Sequence, residues 1–391
     1  MNDAGSSIVL PVKGGRLERY KLQGTPVPAA PPSGPLGRVA YAAAHMVVDP
    51  LAETDPFWTS EIDWDRTLAF RSSLWDLGLG VAEAMDTAQR GMGLDWPTAC
   101  ELIRRTAALA KSRPGALLAS GCGTDQLAPQ DVRTVDDVIR AYEEQAEAIE
   151  AAGSRVILMA SRALARIARG PDDYRTVYGR LLRQARQPVI LHWLGPMFDP
   201  ALAGYWGRDD VDGAMQVALD VIGADSDKVD GIKISLLDKD KEIVMRRRLP
   251  SGVRMFTGDD FNYPELIAGD ELGSSDALLG AFAAIAPIAS SALVRLGAGD
   301  EDGFHAQMEP TLPLARHLFR SPTQFYKTGI AFLAHLNGHQ GHFTMLGAQE
   351  GARSTLHLAE AFRLADQAGA LRDSDLALAR MRQIMAVRGV A

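Results

Sequence analysis

The sequence of 391 residues holds only two cysteines, Cys100 and Cys122, which form neither a CxxC pair nor a disulfide framework. A reducing compartment suits such a chain, and a cytoplasmic location is expected. No apolar run reaches the roughly 18 residues of a membrane span. The N-terminus lacks the basic segment and apolar core of a signal peptide. Positive charge is not in excess either: 41 Lys and Arg stand against 49 Asp and Glu, a net charge of -8. That balance argues against a nucleic-acid or anionic-membrane partner, and the short run Arg246-Arg247-Arg248 reads as a solvated helix face. No internal repeat occurs, and no low-complexity tract beyond one proline-rich stretch. What remains is the make-up of a globular protein, 47% apolar and 23% charged.

Three segments follow from the patterning. Residues 1–37 hold a hairpin over 6–22, with Ile8-Val9-Leu10 and Leu17 to Leu22 about a Gly14-Gly15 turn. An extended linker follows, with five prolines between Pro26 and Pro35. Residues 38–321 alternate strand-length apolar runs with helical periodicity. The runs are Val39–Ala44, Trp75–Leu79, Ala116–Ala119, Arg155–Met159, Pro188–Leu191, Gly231–Ser235, Val253–Thr257 and Leu278–Ile285. The second and eighth read as strand or helix. Trp96–Lys111, Val135–Ala152, Pro171–Gln184, Asp212–Ile222 and Asp238–Arg248 read as helices. Such a series predicts an α/β fold, a closed (β/α)8 TIM barrel, over an open doubly wound sheet, whose glycine fingerprint is missing. Residues 322–391 carry only helices, over Phe325–Leu336, Gly351–Ala368 and Ser374–Val387.

The sixth run carries the sharpest chemistry. Alternation along Gly231-Ile232-Lys233-Ile234-Ser235 turns the isoleucines to the helix layer and Lys233 and Ser235 to the barrel interior, at the mouth where barrels keep their active sites. A lysine there loses hydration, its pKa falls, and the neutral amine can attack a carbonyl to form a Schiff base. A structural lysine paired to a carboxylate is the plainer reading of the same spacing.

Four motifs in order extend this. Gly231-Ile232-Lys233, Pro188-Val189-Ile190-Leu191, Phe256-Thr257-Gly258-Asp259-Asp260 and Ala116 to Gly123 resemble the sixth, fifth, seventh and third strands of the dihydrodipicolinate synthase/N-acetylneuraminate lyase family of class I aldolase-type barrels. The likeness spans about residues 38–375. It implies a lyase, an aldolase or dehydratase, with Lys233 as the imine-forming residue, no cofactor, a small oxo or sugar-derived substrate, and a homo-oligomer.

The departures are equally informative. The family's tyrosine after Pro-Val-Ile-Leu is His192 here, which can move protons in its stead or be a core histidine. The family's Gly-Thr-Thr-Gly-Glu, which holds the carboxylate of pyruvate, finds only Leu79-Gly80-Val81-Ala82-Glu83, and its arginine after the fifth strand is missing. A carboxylate needs donors or a cation, so the expected substrate is a sugar-derived ketone rather than a 2-oxo acid in the family's pose. His45, Asp49, Glu83, Ser235, Gly258, Asp259 and Asp260 are expected to bind it, and Asp125 and Asn262 also fall at strand ends. The alternatives are a barrel hydrolase or isomerase using a divalent metal held by His45, His192 and acidic residues, and a non-catalytic sugar-binding barrel. His335, His339 and His342 would share a helix face suited to zinc, but Gly338 and Gly341 favour a loop. Cys122 has no basic partner in sight and is not expected to be a nucleophile.

Overall fold

The computed structural model of the protein describes residues 7–390; residues 1–6 and 391, the extremities of the first and last expected segments, lie outside them. The hairpin pairs β1 (Ser7–Val12) with β2 (Arg16–Lys21). Eight parallel strands then close into a barrel: β3 (Ala40–Ala43), β4 (Gly80–Glu83), β5 (Leu118–Cys122), β6 (Arg155–Leu158), β7 (Val189–Leu194), β8 (Val229–Ser235), β9 (Arg254–Thr257) and β10 (Asp276–Leu279), which pairs back to β3. The helices after β3 to β6 are α1 (Trp64–Asp76), α2 (Trp96–Lys111), α3 (Val135–Ala152) and then the pair α4 (Arg162–Ile167) and α5 (Pro171–Gln184). Those after β7 to β10 are α6 (Val211–Ala224), α7 (Lys239–Arg246), α8 (Tyr263–Ala268) and α9 (Ala286–Gly297). The TIM barrel expected from the alternating pattern is present.

The expected helices fall close to their places because each has a defined start. Asp95 caps α2 by accepting from the Thr98 amide, and Thr134 and Asp137 form a capping box on α3. The second strand, however, is Gly80–Glu83 rather than Trp75–Leu79. Asp63 caps α1, which runs through Trp75, and Gly78 in the left-handed region turns the chain into the strand. The eighth run divides as its ambiguity allowed: Asp276–Leu279 is strand, and a 3-10 turn over Ala281–Ala283 leads into α9. Both parts are buried, so the apolar text runs on without a mark at the boundary.

Strand alternation divides the core. Tyr41, Ala43, Ala82, Ile157, Ile190, Phe256 and Leu278 fill the barrel interior, while Ile232 and Ile234 pack among the outer helices. Helical structure without strands begins earlier than residue 322, with α10 (Glu301–Met308) and α11 (Leu312–Leu318) following α9. Then come α12 (Tyr326–Leu336), α13 (Thr355–Gln367) and α14 (Ser374–Val387), which share one apolar core with β10 through Leu279, Phe332, Leu358 and Met381. The hairpin docks on these last helices. Tyr20 donates to Asp366 Oδ2 at 2.7 Å, and Arg382 donates to the Ser7 carbonyl at 2.7 Å. Among the described residues no helix is long and apolar enough to cross a membrane.

Candidate active site

Lys233 lies on β8 opposite His192 of β7 in the barrel register, and 5% of it is exposed. Its ammonium forms no hydrogen bond or ion pair with any described residue. Burial pulls it below the ordinary lysine range, against the opposing pull of Asp86 and Asp260. Room for the side chain comes from Gly258 at the end of β9, where a Cβ would stand 2.7 Å from Lys233 Cε. The glycine is thus required by close approach rather than by its backbone angles.

His192 is buried beside it, with Nε2 3.2 Å from Ser235 Oγ. Burial, and then the charge of Lys233, hold the imidazole well below its ordinary pKa, so it is neutral near pH 7. Asp260 accepts from the Ala281 amide at 3.0 Å, and burial raises its carboxyl to about 8 although Lys233 draws it down. A neutral imidazole and a largely protonated acid beside an amine are groups able to exchange protons near neutrality.

Three further residues join them. Asp86 sits in a 3-10 turn just after β4, and Ala84, in the left-handed region at φ 50, bends the chain into that turn. Burial would raise its carboxyl, but Lys233, Lys327 and His192, together with the Tyr326 hydroxyl, hold it below the ordinary range. Tyr326 donates to Asp86 Oδ2 at 2.8 Å and also meets the Thr87 hydroxyl, while Asp86 Oδ1 is buried without a partner. Gly280 makes way for the tyrosine, since a Cβ there would be 2.8 Å from its ring. Lys327, the next residue on α12, is 1% exposed, and burial lowers its ammonium to about 8.

A cavity of about 240 Å³ opens over the mouth, with Asp86, His192, Leu194, Phe198 and Lys327 in its wall. Lys233 is not part of that wall and lies beside it, next to His192 in the barrel register. Arg90 closes another side. It grips Asp125 with two bonds of 2.7 and 2.8 Å and donates to the Gly121 carbonyl at 2.9 Å, tying together the turns after β4 and β5.

A family model described as "Protein of unknown function (DUF993)" matches residues 8–390. The chain belongs to the DUF993 family. No curated protein matches it. Among solved structures it is similar to YagE, a prophage protein of the dihydrodipicolinic acid synthase family from E. coli K12 in complex with pyruvate. That match has a TM-score of 0.65 and 14% identity, covering 85% of this chain and 98% of YagE. Dihydrodipicolinate synthase from Bacillus clausii matches with a TM-score of 0.63 and 14% identity over 84% of this chain and 97% of the other. The Aquifex aeolicus synthase matches with 0.60 and 11% over 90% and 98%. The DUF993 chain therefore has the fold of the family that its motifs resemble.

Within this DUF993 barrel, Lys233, His192, Ser235, Gly258 and Asp260 lie together at the mouth. Other expected residues do not join them. Glu83 follows the inward Ala82 and so turns outward, where Arg71 of α1 takes both its oxygens at 2.8 Å and Thr106 of α2 donates at 2.7 Å. This correction follows from the shifted second strand. His45 is buried against Phe70, with Nε2 2.7 Å from Gln340 Oε1, and burial lowers it to about 3. Asp49 is exposed and accepts from the Leu51 amide at 2.9 Å. Asp259 serves its own loop, accepting from the Phe261 amide and the Asn262 side chain at 2.8 Å each. His335, His339 and His342 go separate ways, to the Gln340 carbonyl, Arg372 and the Thr344 amide. Among the described residues no three His, Cys, Asp or Glu side chains converge in a manner suited to a metal. Cys100 and Cys122 are free thiols, and burial raises the Cys122 pKa.

Asp86, Tyr326 and Lys327 were not anticipated from sequence. Reading the second strand five residues too early hid Asp86, which otherwise falls at a strand end. Lys327 had a signal: it is the lone lysine in Tyr326–Leu336, a helix buried at every residue.

Proposed function

We propose that this protein is a Schiff-base lyase, an aldolase or dehydratase, that acts on a small carbonyl compound through Lys233. One observation carries the reading: a buried lysine without a counter-ion in contact stands beside a neutral histidine and an ionised aspartate at the mouth of a barrel. The neutral amine adds to the carbonyl carbon. His192 and Asp86 move a proton from nitrogen to oxygen, the protonated carboxyl of Asp260 gives a second proton to the hydroxyl, water leaves, and a protonated imine forms. The bond beta to the imine then breaks and its electron pair passes to the imine nitrogen. The free Oδ1 of Asp86 accepts the proton that the departing half gives up. Protonation of the enamine and addition of water release the product and restore the amine. Tyr326, whose hydroxyl burial keeps protonated, fixes Asp86 by donating to its other oxygen. No step calls for a metal or organic cofactor. A cytoplasmic setting and self-association accompany the proposal, the former suited to the free thiols.

Borohydride trapping tests it. Wild-type protein treated with a panel of ketones and borohydride is expected to gain the mass of one reduced adduct, and Lys233→Ala is expected to gain none. Asp86→Asn should still form the adduct, about 10²-fold more slowly. An adduct that persists in Lys233→Ala, or no adduct from any ketone, sinks the proposal.

A further inference from the structure

We infer that Lys327 binds a carboxylate on the substrate, set at least two carbons away from the carbonyl that Lys233 attacks. The carbonyl half of this statement rests on the Schiff-base proposal; the carboxylate half does not.

A lysine in the first turn of a fully buried helix normally snorkels to water or finds an acid. Lys327 does neither. Among the described residues its Nζ has one hydrogen-bond partner, the uncharged thioether of Met92 at 3.4 Å, and no acid within ion-pair reach. The other cations of the wall are engaged: Arg90 with Asp125, and Arg162 with Asp199 at 2.5 Å. Lys327 is therefore the cation of the cavity wall left for a ligand.

The charge balance points to a monoanion. The wall carries Asp86, Asp125 and Asp199 against Arg90, Arg162 and Lys327, three acids to three bases. The protonated imine formed at Lys233 carries one positive charge, and one carboxylate on the substrate cancels it. A phosphate dianion would overshoot, and it would find one free cation where such groups are normally held by several donors. The cavity, at about 240 Å³, lies below the roughly 300–1,000 Å³ of drug-sized sites and suits a small metabolite.

Spacing separates this site from one for a 2-oxo acid. Lys233 extends from β8 with its Cε against Gly258 after β9, whereas Lys327 Nζ reaches Met92 in the loop after β4, four strands from β8 around the barrel. The two side chains thus end on opposite sides of the mouth. A carboxylate held at Lys327 cannot also be bonded directly to the carbon joined to Lys233, so the chemistry favours a 4- or 5-oxo acid.

Levulinate, a 4-oxo acid, is the probe. By calorimetry it is expected to bind wild type and Lys233→Met, where no imine can form, and to bind Lys327→Met about 10–100-fold more weakly. Lys327→Arg should keep binding within a few-fold. In borohydride trapping, wild type should take levulinate in preference to pentan-2-one and pyruvate, and Lys327→Met should treat levulinate and pentan-2-one alike. Equal levulinate binding by wild type and Lys327→Met, no binding to wild type at millimolar concentration, or trapping of pyruvate at least as fast as levulinate would each overturn the inference. Levulinate binding that depends on Lys327 without any trapped adduct would remove the Schiff-base proposal and leave the carboxylate site standing.

Discussion

Removing an ammonium from water is costly, and this chain does it twice, at Lys233 and at Lys327. Lys327 makes the cost measurable. Burial lowers its pKa from 10.5 to about 8, and a shift of that size corresponds to about 3 kcal/mol of destabilisation while the group is charged in both states. The sign is definite. Between about 8 and 10.5 the unfolded chain holds a proton that the folded chain has released, so folding gains as pH rises through that window. Lys327→Met, of similar shape and without charge, should therefore be more stable than wild type by about 2–3 kcal/mol near pH 7, with the gain shrinking toward zero as pH approaches 10.5. Urea melts at the two extremes measure this, and a variant less stable than wild type at neutral pH contradicts it. Stability given up at a ligand-facing position is a common mark of function. At this scale Lys233 was legible because a two-residue period and one charge suffice to aim it inward. Asp86 and Tyr326 were not, because a turn residue and a helix residue 240 positions apart meet only through tertiary packing.

Between elements, the tie of α1, β4 and α2 shows how a small shift in a strand changes a residue's meaning. Arg71 and Glu83 are both 0% exposed at the side chain and bond bidentately, with Thr106 completing the set. Removing one partner of such a pair typically costs about 3–5 kcal/mol, because the other is left charged and buried. Glu83→Gln is thus expected to lower the denaturation midpoint strongly while the folded fraction still forms adduct at the wild-type rate. A substrate-binding Glu83 would give the reverse, normal stability with weak trapping. Helices α2, α3, α5, α6 and α7 could be read from sequence because defined starts and amphipathic periods mark them. The second strand could not: Leu74, Leu77 and Leu79 form an apolar run that ends a helix, whereas the true strand is four residues that include a buried acid. The error carried Glu83 into the expected site and left Asp86 out of it.

Over the whole molecule, the helices beyond residue 322 are structural members of the barrel rather than an appendage. Ile330, Phe332, Leu333 and Leu358 share the core that covers β10 and Phe282. A chain cut after residue 321 would expose that core and lose Tyr326 and Lys327 together. It is expected to aggregate or to melt without a cooperative transition, as read by sedimentation and circular dichroism; a soluble, cooperatively melting fragment would refute this. The alternation of strand and helix made the barrel legible in outline, whereas the role of the tail was hidden because a helical period says which face is buried and not what buries it.

The hairpin adds the dimension of time. Tyr20 and its acceptor Asp366 are separated by 346 residues, so on the ribosome the hairpin emerges well before its seat. Tyr326 and Lys327 likewise emerge well after Lys233. A chain made only as far as Lys233 lacks Tyr326, Lys327 and the helix that carries them. Under the Schiff-base proposal, arming the nucleophile and completing the wall beside it thus become one step.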